Sequence, residues 1–226
     1  MEEKKSKTAF RGAEKTGTWL LAKWEQKIIR YLIPKFPSWI ETYHLTLMTL
    51  IWSGLIILFG YLAQTNINWL WGASLAIVAH WFTDSFDGAL GRYRGTGLVR
   101  WGYYMDHFLD YLFFCSILIS YALTSSGRST YLLLFIMAIF GAYMVNAFLS
   151  FKVTDEFKIG FFRVGPTEIR IVFIIINTLI IFNKTYFKIA LPYILFFSFA
   201  VLCLVVYRTQ KKIWQIDMRN KKISTQ

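Results

Sequence analysis

Asp84, Asp87, Asp106 and Asp110 are the only acidic residues between Glu41 and Asp155, in a stretch that otherwise reads as hydrophobic membrane helix. Asp84 and Asp87 are three apart and Asp106 and Asp110 four apart, so on helices each pair shares one face. A carboxylate at the centre of a membrane helix costs about 2.5–3.5 kcal/mol on insertion scales. A chain that keeps four of them must neutralise them, and cations can do so. An all-carboxylate cluster favours hard cations such as Mg²⁺ or Mn²⁺ over zinc. Four carboxylates suffice for two such ions, as in two-metal phosphoryl-transfer centres.

The stretch between the pairs, DGALGRYRGTGLVRWG, adds suitable parts. Gly88 and Gly91 leave one helix face without bulk, so a ligand can approach the backbone. Arg92 is placed to pair with a phosphate. Gly95, Gly97 and Gly102 permit a tight loop, although small residues between membrane helices also serve packing.

Helices must carry these residues. The chain has 226 residues, of which 56% are hydrophobic and 19% aromatic. The apolar excess lies in long runs, which indicates one all-α integral membrane domain. Six transmembrane helices are expected near 43–64, 69–92, 103–124, 130–151, 166–183 and 186–207. An amphipathic interfacial helix precedes them at 18–33. Leu20, Trp24, Ile28 and Tyr31 form its apolar face, and Lys23, Lys27 and Arg30 lie elsewhere. Pro34 and Pro37 end it. Residues 1–17 are polar, basic and expected to be loosely held, the membrane domain covers 18–207, and 208–226 form a basic tail.

Twenty-two of the 25 Lys and Arg residues fall on one side of this six-span arrangement. The positive-inside rule places both termini and the aspartates on the cytoplasmic side; in a bacterium that would be the inner (plasma) membrane. The net charge of +12 is then explained by anionic headgroups and topology, not by nucleic acid. Trp69, Trp71, Trp101, Tyr103 and Tyr104 fall near span ends, where aromatic belts belong. Cys115 and Cys203 lie in apolar runs and read as small core residues. No cleavable signal peptide is expected, because the first forty residues lack a sustained apolar stretch.

At its aspartates the sequence resembles the CDP-alcohol phosphotransferase (phosphatidyltransferase) family, whose motif is D-x-x-D-G-x-x-A-R-x8-G-x-x-x-D-x-x-x-D. This chain has D-x-x-D-G-x-x-G-R-x9-G-x-x-x-D-x-x-x-D. Gly91 replaces the usual alanine and keeps the position small. The connection is one residue longer, which leaves the roles of Arg94 and Arg100 open. Upstream, many members begin the first span with P-N-x-L-T; here Thr46 alone carries over, as a possible diphosphate contact. The family's six-helix core and preceding amphipathic helix match the span count.

The resemblance implies a reaction in which an acceptor hydroxyl attacks the β-phosphoryl group of a CDP-linked donor and CMP leaves. It implies Asp84, Asp87 and Asp106 as metal ligands. Asp110 would be the general base and also a metal ligand. Gly88, Gly91 and Gly102 would admit the cytidine, and Arg92 would hold its phosphates. Two Mg²⁺ or Mn²⁺ ions and a homodimer follow from the same resemblance.

Family members acting on CDP-choline or CDP-ethanolamine with diacylglycerol usually carry additional spans. CDP-diacylglycerol is therefore the expected donor, with a small polar alcohol as acceptor. Arg94, Arg100, Lys158, Arg163 and Arg170 could bind a phosphorylated acceptor such as glycerol 3-phosphate or an inositol phosphate, or could serve topology alone. Glu168 and Arg170, at the mouth of a span started by Pro166, look like an acceptor-site pair or a structural salt bridge. His44 and His107 read as interfacial hydrogen-bonders. A UbiA-type prenyltransferase would need widely separated aspartate clusters, and a divalent-cation transporter would need acids toward the far leaflet. Neither feature is present.

Overall fold

Long apolar runs favour helices, and prolines and positive-φ glycines set several of their ends. The computed structural model describes residues 21–96, 98–154 and 165–224, and every regular element among them is a helix. Helix α1 spans Ala22–Leu32 and leads through a short 3-10 turn at Ile33–Lys35 to α2, Thr42–Leu62. A second 3-10 turn, Ile67–Trp69, precedes α3, Leu70–Arg94. Then come α4 (Val99–Thr124), α5 (Arg128–Thr154) and α6 (Pro166–Ser224). Residues 1–17, and the start of the helix expected from residue 18, lie outside the described residues.

Local chemistry sets the helix ends. Gly95 has φ 68°, and its N–H joins that of Thr96 on the Gly91 carbonyl, which closes the C-terminus of α3. α2 opens on a reciprocal cap: the Glu41 side chain accepts from the His44 backbone N–H, and the Glu41 N–H donates to His44 Nδ1 at 3.0 Å. α6 is a 59-residue helix interrupted at Asn183, where φ −157° and ψ 97° are not helical. The Asn183 side-chain oxygen accepts from Thr185 N at 3.0 Å and so caps the second half.

Among the described residues, four helices are long and apolar enough to cross a membrane: α2, α4, α5 and α6. α3 falls short of that hydropathy because it carries His80, Thr83, Asp84, Ser85 and Asp87. Outward side chains such as Phe135, Leu149, Phe182 and Phe196 are exposed apolar groups, as lipid-facing helices require. Cys203 is one of these outward positions and Cys115 is half-buried, so neither is a fully buried core residue. An apolar run in a membrane helix need not face the protein.

α2 packs extensively against both α3 and α4, whereas α3 and α4 make little backbone contact with each other. The expected α3–α4 hairpin is therefore opened by α2 on one side, and α6 packs against α3. Close approach of α2 to α4 depends on Gly60: a Cβ there would lie 2.6 Å from Ser120 Cα. Polar ties join the other helices. Asn177 donates to Ser74 Oγ at 2.9 Å, Tyr121 to the Phe173 carbonyl at 3.2 Å, and Tyr143 to the Ser198 carbonyl at 3.1 Å.

Gly60→Ala should therefore destabilise the bundle by about 1–3 kcal/mol, the usual cost of overpacking. Gly54→Ala, whose added Cβ meets nothing within 4 Å, should be neutral or mildly stabilising. Unfolding of both variants in one detergent checks the pair. Equal stability of the two would mean that α2 and α4 are not in close contact at Gly60.

Candidate active site

In the middle of α3, His80 and Asp84 meet the start of α6, whereas Thr83 meets α2 and Ser85 meets α1. Arg170 is 5% exposed and lies one turn inside the N-terminus of α6. Its Nη2 donates to Asp84 Oδ2 at 2.7 Å and stands 3.6 Å from Asp110 Oδ1. Its Nε donates to Nδ1 of His80 at 3.2 Å. The guanidinium thus bridges a carboxylate of α3 and a carboxylate of α4, while an imidazole fixes its far edge.

His80, Asp84 and Asp110 each present a ligand atom within 4.8 Å of the others. Two carboxylates with an imidazole suit a divalent cation. Such an ion would share Asp84 and Asp110 with Arg170. His80 is fully buried, stacks on Phe113 of α4 with ring centres 3.6 Å apart, and has no partner for Nε2 among the described residues. Sequence reasoning passed over it. The available signal was its position four residues before Asp84, on the same helix face.

Asp87 faces α2. Thr46, buried on the second turn of α2, places Oγ1 2.9 Å from Asp87 Oδ2 and 3.1 Å from the Thr42 carbonyl. Asp106 lies one turn before Asp110, half-buried, with His107 Nδ1 3.9 Å from its Oδ2. That Nδ1 also contacts the Tyr103 carbonyl at 2.7 Å. Arg92 is exposed, and its Nη1 would lie 3.3 Å from a Cβ at Gly88. The absence of a side chain at Gly88 gives that guanidinium its room. Gly91 is buried, and a Cβ at Gly102 would meet nothing.

The expected acceptor residues separate. Glu168 accepts from Leu21 N at 2.9 Å and Gly165 N at 3.0 Å, so it ties α1 to the start of α6. It forms no ion pair with Arg170 among the described residues, so the structural salt bridge that their spacing allowed is not made there. Arg94 donates to backbone carbonyls of the segment before α2. Arg100 is exposed in the first turn of α4. Lys158 and Arg163 lie outside the described residues. Glu25 of α1 accepts from Ser85 Oγ at 2.9 Å and Thr167 Oγ1 at 2.8 Å, which links both walls of the site.

The family model for CDP-alcohol phosphatidyltransferase matches residues 39–207. The chain therefore belongs to the CDP-alcohol phosphatidyltransferase family, a family of transferases for substituted phosphate groups. Its apolar helices and this membership make it a membrane protein. No curated protein and no solved structure matches the chain.

Arg170→Leu should lower the thermal midpoint in metal-free detergent, because Asp84 and Asp110 would then lose the cation between them. The loss should fall below the about 3–5 kcal/mol of a fully buried pair, since 38% of the Asp110 side chain is exposed. Added Mg²⁺ or Mn²⁺ should recover most of it and shift the wild type less. A variant whose midpoint ignores both ions would show that these carboxylates do not take a divalent cation.

Proposed function

We propose that the chain moves a phosphatidyl group from CDP-diacylglycerol to the hydroxyl of a small polar alcohol and releases CMP. The observation that carries this reading is the meeting of Asp84 of α3 and Asp110 of α4 around Arg170. Two halves of one phosphoryl-transfer motif, 26 residues apart in sequence, come to one place. Divalent cations held by Asp84, Asp87, Asp106 and Asp110, as Mg²⁺ or Mn²⁺, would supply neutralisation of the diphosphate charge.

The protein's own groups supply position and a base. Asp110 accepts the acceptor's hydroxyl proton. A bond then forms between that oxygen and the β-phosphorus. The bond from the β-phosphorus to the oxygen bridging the α-phosphate breaks, and CMP leaves with the electron pair. Arg92, over the bare face at Gly88, pairs with the donor phosphates, and Gly91 and Gly102 leave room for the cytidine. Thr46 orients Asp87 toward the same phosphates. Arg170, which lies against Asp110, is the cation best placed to receive a phosphorylated acceptor.

Six spans fit this reading: α2, α3, α4, α5 and the two halves of α6 divided at Asn183. α3 can cross despite its polarity because His80, Thr83 and Asp84 turn toward other helices. α1 lies in the cytoplasmic interface, with Trp24, Ile28 and Tyr31 exposed beside Lys23, Lys27 and Arg30. Both termini and the site face the cytoplasm, and the chain works as a homodimer in its membrane.

CMP release by the purified protein should require CDP-diacylglycerol and one member of a panel of polar alcohols. Turnover only with CDP-choline or CDP-ethanolamine and diacylglycerol would reverse the donor assignment. Asp110→Asn should bind CDP-diacylglycerol nearly normally yet transfer about 10²–10⁴-fold more slowly in a single turnover. Weak binding rescued by Mg²⁺, with normal transfer once bound, would remove the general-base role and leave Asp110 as a metal ligand alone. For topology, a tag after Gln226 should be accessible from the cytoplasm alone and a label near Arg128 from outside. An outward-facing C-terminus would remove the six-span arrangement.

A further inference from the structure

Arg94 was expected among the acceptor contacts, and its surroundings assign it other work. It is the last residue of α3, and its guanidinium is spread over the backbone between α1 and α2. Nη2 donates to the carbonyls of Phe36 at 3.2 Å and Pro37 at 2.8 Å. Nη1 donates to the Ile40 carbonyl and reaches the Ser38 carbonyl at 3.4 Å. Pro34 and Pro37 keep this segment from continuing as helix, so most of these carbonyls lack a helical partner. A planar fork with several donors suits such an array; an ammonium on a flexible stem does not.

An aromatic contact lies alongside. Phe36 stacks on Phe86 of α3 with ring centres 5.1 Å apart, and Ile33 and Leu45 share a buried cluster with Phe86, Ala89 and Leu90. The segment is thus fixed to α3 on both sides of Asp87. Past it, the Glu41–His44 cap starts α2, and Thr46 follows in the next turn with its hydroxyl on Asp87. Asp87 and Arg94 are seven residues apart on one helix, close to two full turns, so both lie on the face along which this segment runs.

We propose that Arg94 is a positioning residue for Asp87: by gripping the 36–40 segment it sets where α2 begins, and so holds Thr46 on the Asp87 carboxylate. This rests on the reading of Asp87 as part of the donor and cation site. Arg94 then touches neither substrate nor ion. Its loss weakens the donor side and leaves the acceptor side alone.

The test is a double-mutant cycle of Arg94→Gln and Thr46→Val, read by CDP binding and by Mn²⁺ binding in detergent. Arg94→Gln should weaken both by about tenfold, as removal of a supporting partner of a liganding group does, with the KM for the acceptor unchanged. In the Thr46→Val background it should add little, because the path through Thr46 is already cut. Arg94→Lys should fall between, and it serves if Arg94→Gln does not yield monodisperse protein. Unchanged CDP and Mn²⁺ binding, full multiplication of the two effects, or a raised acceptor KM would each overturn the proposal. A wild type that binds Mn²⁺ and no CDP would remove the donor reading instead, and the Mn²⁺ arm of the cycle would still decide the role of Arg94. Binding of neither would end both.

Discussion

The structure depends on how the carboxylates of α3 and α4 are neutralised inside a bundle of apolar helices. Arg170 answers part of that need from within the chain, since it meets Asp84 and Asp110 together. An unpaired carboxylate there would be costly, and two facing each other more so. A guanidinium bridging them lowers the cost. His80, Asp84 and Asp110 also offer ligand atoms within 4.8 Å of one another, so the groups that tie α3 and α4 together are the ones that could hold a divalent ion.

That pairing constrains the helices. Asp84 and Asp110 come from helices that make little backbone contact, so something must set the gap between them. α2 does so by packing on both, and Gly60 permits its approach to α4. On the other side α6 delivers Arg170, and the stack of His80 on Phe113 ties α3 to α4 across the gap. Arg170 and His80 belong to one construction: the imidazole accepts from Nε, and Nη2 is thereby aimed at the carboxylates.

The motif was legible because its spacings are local. Three- and four-residue separations put side chains on one helix face whatever the rest of the chain does. Helix ends at Gly95 and near Pro34 were legible for the same reason. Long-range partners were not. Arg170 lies 86 residues from Asp84, and no periodicity predicts which of several cations reaches the aspartates. Arg94 illustrates the converse. Its place beside the motif suggested a ligand contact, while backbone carbonyls 54–58 residues away claim its guanidinium. The span count was only partly legible, because inward-facing polar residues lower the hydropathy of α3, and α6 runs on past Asn183.

Glu25 of α1 and Glu168 of α6 extend the same logic to the position of α1. Glu25 joins Ser85, next to Asp84, with Thr167, three residues before Arg170. Glu168 holds the start of α1 through Leu21 N. The two carboxylates therefore fix α1 across the seam where α3 and α6 bring Asp84 and Arg170 together. Beneath α1 a cavity of about 270 Å³ runs between Trp24, Ile28, Ile77, Trp81 and Ile174 and reaches Arg170. Its walls are apolar except near Glu25, Thr167 and Arg170. A helix held by polar ties at the site and exposing Trp24 and Tyr31 cannot shift without disturbing Ser85 or Thr167. The position of α1 and the geometry of the carboxylate cluster are therefore one mechanical problem.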